Sequence, residues 1–97
     1  MSDLRKLANG RQCQIRIAGV CNGNPETTVL AHLRMAGITG IGQKAPDLLG
    51  SWACSACHAI VDANGGKIFD RDFVRIALFE GIARTQAELV KQGVLKW

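Results

Sequence analysis

Four cysteines, at positions 13, 21, 54 and 57, constrain this chain more than any other feature. Two of them stand in the run Ala53-Cys54-Ser55-Ala56-Cys57-His58. A Cys-x-x-Cys-His run can attach haem, exchange thiols for disulfides, or grip a metal ion. At 97 residues the chain is expected to be one domain, able to fold alone but short of core, so a staple of some kind is expected. The stretch MSDLRKLANGRQCQ sets Asp3, Arg5 and Lys6 around only two apolar residues and has no apolar h-region. No apolar run is long enough to cross a membrane. The expectation is a soluble protein of a reducing cytoplasm, where paired cysteines mean metal or redox chemistry more often than disulfides.

That setting orders the three chemistries. Covalent haem attachment normally requires export. A thioredoxin-like site needs a βαβ surround and leaves Cys13 and Cys21 without a role. Metal binding uses all four thiols: Cys13-x7-Cys21 and Cys54-x2-Cys57 together make the sulfur tetrahedron of a structural zinc ion, tying the front of the chain to its middle. The second spacing is that of a zinc knuckle. The first is longer, and the turn-forming GVCNGN can bring Cys21 back toward Cys13. Buried thiols acting as small apolar side chains remain the plain alternative.

Along the chain, Ser2 or Asp3 caps a short helix that Asn9-Gly10 ends. QCQIRIAGV alternates, with Cys13, Ile15 and Ile17 on one side and Gln14 and Arg16 on the other, which predicts a first strand. TTVLAHLR, β-branched and apolar, predicts a second strand with His32 near its end. Met35 to Gly50 is glycine-rich and broken by a proline, and reads as a functional loop. A short helix is predicted from about Ala56 to Asp62, stopping at Asn64-Gly65-Gly66. His58 and Asp62, four apart, share one face there and can bind one ion. A long last helix opens on the N-cap Asp70 and closes at Lys91 and Gly93. Phe73, Ile76, Ala77, Ile82, Ala83, Leu89 and Val90 are its expected apolar face. Trp52 and the phenylalanines are expected in the core, and the basic residues of this helix on a solvated face.

In this order, strand, His, glycine-rich loop, Cys-x-x-Cys-His and helix resemble the HNH, or His-Me finger, nuclease motif, in the version whose cysteines hold structural zinc. CNGNPETTVLAHLR, KAPDLL, CSACH and EGIARTQ look more closely like the small nuclease family of phages and prophages typified by YbcO, over nearly the whole chain. The resemblance implies an α+β, ββα-metal domain with a long C-terminal helix, acting in the cytoplasm of a bacterial host cell as a metal-dependent endonuclease on DNA. It implies His32 as general base. It implies His58, with Asp62, as ligands of a catalytic divalent ion such as Mg2+, and Asp47 in the place of the motif's middle Asn. Two departures stand out. Ala31 replaces the acidic residue or histidine common before the base, and Asp47, unlike an amide, only accepts hydrogen bonds.

Charge agrees with a nucleic-acid partner. Residues 1–44 hold six basic groups against two acidic, while residues 45–97 hold six of each. The excess lies in the half that carries His32, where Arg34 and Lys44 are candidate phosphate contacts. With no Tyr in the chain, stacking on single strands is not expected. A non-catalytic zinc-bound module binding nucleic acid or protein is the alternative, and so apolar a small chain can form a homodimer through its last helix.

Overall fold

The computed structural model describes residues 3–33, 46–63, 65–66 and 68–95. They form helix α1 (Asp3–Ala8), a 3-10 turn at Pro25–Thr27, strand β1 (Val29–His32), a 3-10 turn at Asp47–Leu49, strand β2 (Gly50–Ala53), helix α2 (Ser55–Asp62) and helix α3 (Arg71–Lys91). The class is α+β as expected, but the strand pair is not the expected one. β1 pairs antiparallel with β2, Val29 opposite Ala53 and His32 opposite Gly50. Most of the expected Met35–Gly50 loop, with Arg34 and Lys44, lies outside the described residues, and its end supplies a turn and the start of β2.

The segment expected as a first strand is irregular for a definite reason. Cys13, Ile15 and Ile17 are buried, as the alternation requires, but so is Gln14. Arg16 takes a left-handed φ of 56°, which breaks any extended ladder. The segment touches β2 through one backbone bond, Gln14 N–H to the Trp52 carbonyl at 2.8 Å. The Gln14 carbonyl then turns to α3, accepting from Arg84 Nε at 2.8 Å. The Trp52 N–H is satisfied from the same helix by Thr85 Oγ1 at 3.0 Å. Helix side chains thus replace the missing strand along this edge of β2, and the buried backbone groups keep partners.

Helix α3 is capped as its sequence predicts, Asp70 Oδ2 accepting from the N–H groups of Asp72 and Phe73 at 3.1 and 3.2 Å. Its buried face differs from the expected one. Val74, Ala77, Leu78, Gly81, Ile82, Thr85 and Leu89 point inward, while Phe73, Phe79 and Ile76, the last 57% exposed, do not. Small residues decide this, because the helix crosses β2 at Gly81. A Cβ there would lie 2.5 Å from Ser51 Oγ and 2.9 Å from Ile15 Cγ1. Gly81 lets the helix approach β2 closely, and Phe73, Ile76 and Phe79 remain exposed.

The core has two parts. The larger joins Ile15, Ile17, Ala31 and Leu33 to the inward residues of α2 and α3 and to Cys13, Cys54 and Cys57. The smaller gathers Ala8, Trp52 and Leu89, with Leu4, Leu7 and Leu30 against them. It docks α1, and Arg11 lies 5.5 Å over the Trp52 ring. Each large side chain so buried contributes about 1.5–3 kcal/mol. Among the described residues no helix is long and apolar enough to cross a membrane.

Candidate functional site

The four cysteines converge. Their sulfurs all lie within 4.8 Å of one another, and Cys21 Sγ is 3.9 Å from Cys54 Sγ. Tetrahedral zinc with bonds of about 2.3 Å would set sulfurs about 3.8 Å apart. All four are free thiols rather than disulfides. Local structure explains the convergence. A turn brings Cys21 back by donating its N–H, like that of Val20, to the Ile17 carbonyl at 2.9 and 3.0 Å. Cys54 is the N-cap of α2, its sulfur accepting from Cys57 N–H and Asn22 N–H, both at 3.4 Å. Burial works against ionising Cys54, but these two N–H donors outweigh it and hold its pKa down at about 7. Burial, with Cys13 and Cys54 close by, pushes the Cys57 thiol up. Burial raises Cys21 as well. Four thiols whose sulfurs lie within 4.8 Å of one another, three of them buried and one, Cys54, favoured as thiolate, are a donor set suited to a single soft cation.

His32 ends β1, and the register fixes its surroundings. Beyond the His32–Gly50 pair the chains stay joined, Leu33 N–H donating to the Leu49 carbonyl at 2.9 Å. The tight Asp47–Leu49 turn, closed by Leu49 N–H on the Pro46 carbonyl at 2.8 Å, carries Asp47 onto the imidazole. Asp47 Oδ1 stands 2.7 Å from His32 Nε2, the side chains 25% and 15% exposed. A carboxylate only accepts, so Nε2 is the donor, and Nδ1 of the neutral ring holds the lone pair. His32 opens on a hollow of about 210 Å³ with Val61, Val74, Leu78 and Phe79 as apolar walls and two arginines, Arg71 and Arg75, from the first turns of α3.

The other expected pair lies elsewhere. His58 Nε2 and Asp62 Oδ2 are 3.6 Å apart along α2, both well exposed. His58 lines a different hollow, with Arg5, Lys6, Glu26, Val29 and Leu30, and it is Val61 of α2 that faces His32. Among the described residues the cysteines are the one group of three or more potential ligands that could share an ion. Ala31, beside the base, is buried and adds no donor. Arg71 and Arg75 are exposed, as the solvated face expected for the helix's basic residues requires, and they also line the hollow. Their signal was the four-residue spacing on the helix, which sets both on one side, but only the packed structure shows that this side meets His32.

A small α+β domain with a clustered four-thiol site and a carboxylate-bound histidine at the end of a strand pair is thus the class defined here. A family model described as "Putative nuclease YbcO" matches residues 2–94, and the chain belongs to this family. It is 53% identical over 96 residues to "Putative nuclease YbcO" of Escherichia coli (strain K12), and equally to "Putative nuclease ybcO" of Enterobacteria phage 82, covering 99% of each chain in both cases. The solved "Structure of a putative bacteriophage protein from Escherichia coli str. K-12 substr. MG1655" superposes with a TM-score of 0.78 at 47% identity, covering 94% of this chain and all of that one.

Proposed function

We propose that the chain is an endonuclease of the His-Me finger kind that hydrolyses DNA phosphodiester bonds, with His32 as general base. The observation that carries this reading is the 2.7 Å His32–Asp47 bond facing a hollow with two cationic side chains. The names of the family and of its relatives support it. Nδ1 takes a proton from a water molecule, whose oxygen forms the new bond to phosphorus as the bond to the 3′-oxygen breaks. The leaving oxygen takes its proton from solvent. Asp47 keeps the ring in the productive tautomer and stabilises the imidazolium once formed.

Two metals belong to the reading, with different standing in the fold. Zinc on Cys13, Cys21, Cys54 and Cys57 is structural, since all four positions of a tetrahedron are taken by thiolates. His58 and Asp62 offer one nitrogen and one carboxylate to a divalent ion such as Mg2+, which commonly keeps several waters. When bound it would supply positive charge to a phosphate group. The test is plasmid cleavage with added divalent ions across duplex, nicked, branched and single-stranded DNA. His32→Ala should abolish cutting with fold and zinc content unchanged, and His58→Ala or Asp62→Ala should raise the ion concentration required.

The second reading is a zinc-bound interaction module without catalysis, favoured by one observation: His58 does not share the His32 hollow. If no DNA form is cut under any ion while the folded, zinc-loaded protein binds DNA or a protein, this reading replaces the first. A homodimer through the outer side of α3 is proposed alongside either, on the exposed Phe73 and Ile76. Concentration-dependent sedimentation that Ile76→Asp abolishes supports it, and a monomer at all concentrations ends it.

A further inference from the structure

We propose that Arg71 and Arg75 are the phosphate clamp of the His32 site, gripping the non-bridging oxygens of one phosphodiester beside the imidazole. The proposal rests on the nuclease reading for the reaction, but its binding component stands independently. Both arginines line the hollow that His32 opens on, and among the described residues no carboxylate lines it. They stand four apart in α3, a spacing that places like charges side by side, where they repel unless an anion joins them. Among the described residues no ion pair or hydrogen bond engages either guanidinium.

The third well-placed arginine of the helix makes the contrast. Arg84 is committed to the protein itself, bonded to the Gln14 carbonyl and 3.9 Å from Glu80 Oε1. One helix thus carries an arginine that holds the fold and two, nearer its start, that hold nothing internal and face the base. Both arginines are exposed, and the other walls, among them Val61, Val74 and Leu78, are apolar and set no charge against an anion. Guanidinium groups bind phosphate oxygens whatever the base sequence, so the contact proposed is to the backbone. Planar forks suit paired oxygens of one phosphate.

The test is fluorescence anisotropy of the zinc-loaded protein with a short labelled DNA duplex, titrated over salt with no divalent ion added. Arg71→Gln and Arg75→Gln should each weaken binding about tenfold and reduce the slope of log affinity against log salt by about 0.9, the double variant by about twice that. Arg75→Lys should keep the slope and lose part of the affinity. Thermal midpoint and zinc content should hold in these variants, whereas Arg84→Gln should lower the midpoint and keep the slope. His32→Ala should bind as the unsubstituted protein does. If cutting is observed, the two glutamine variants should raise KM as well as lower kcat. Unchanged affinity and slope in the double variant overturn the clamp, and so does an unsubstituted protein that fails to bind the duplex. Loss of binding in the double variant, with no DNA cut by any form, leaves the clamp standing and removes the nuclease reading alone.

Discussion

The cysteine cluster and the His32 hollow lie in one small domain and are built on opposite lines. The cluster is closed: its thiols are buried or nearly so, drawn from a turn and the start of a helix, and Cys54 is held by two backbone N–H groups. The hollow is open, with a partly exposed base, one carboxylate on the base, and arginines that no ion pair or hydrogen bond engages among the described residues. A site whose ligand positions are all filled by protein supplies folding energy, while a site with groups left for an outside molecule supplies chemistry. The difference explains why a nuclease reading needs both: the cluster fixes the frame, and the hollow works against it.

The largest expected effect strikes the closed region. Cys57→Ser should release zinc and unfold the chain, since binding and folding are one free-energy change of about 10 kcal/mol or more in such sites. Circular dichroism with metal analysis reads this, and a variant that kept its midpoint would erase the contrast. The next effect strikes the open region and should leave the closed one intact. His32→Ala should cost a factor of about 10² to 10⁴ in cleavage rate with the melting curve unmoved. Asp47→Asn sharpens this, because an amide can donate to Nε2, move the lone pair away from Nδ1, and so slow the reaction without weakening DNA binding.

Smaller effects fall on the joint between the regions. Thr85→Val leaves the buried Trp52 N–H without its 3.0 Å partner, a loss of about 1–3 kcal/mol in denaturant midpoints. Gly81→Ala forces a methyl against Ser51 and Ile15 and should destabilise by a similar amount, about 1–3 kcal/mol. Both should lower cleavage only as far as they lower the folded fraction. A selective loss of activity at full stability would mean that the helix positions the hollow more tightly than it stabilises the core.

Legibility in the sequence followed the range of the forces involved. Helix α3 with its Asp70 cap and helix α2 after Cys54 were readable because capping and periodicity are local. The thiol site was readable because residue type alone carries the chemistry. β2 was not, since GSWA is four residues with a glycine at its start, and its extended form is imposed by β1 on one edge and by Gln14 and Thr85 on the other. The segment at Cys13–Ile17 failed the opposite way: its pattern is that of a strand, but the left-handed Arg16 is a tertiary compromise that alternation does not record. Asp47 was singled out only through family resemblance, and its bond to His32 comes from the fold. Arg71 and Arg75 were missed because charge was counted along the chain, and folding brings the neutral half's arginines to the basic half's histidine.

The Cys21–Cys54 contact has one more consequence. A cation shared by these thiols ties the chain at two points 33 positions apart, and β1, His32 and Asp47 all fall within that loop. Closing a loop costs entropy only as the logarithm of its length, about 0.6 kcal/mol for each doubling. The segment between His32 and Asp47 can therefore gain residues at little thermodynamic expense while both of its ends stay pinned, one by the strand register and the other by the tight turn.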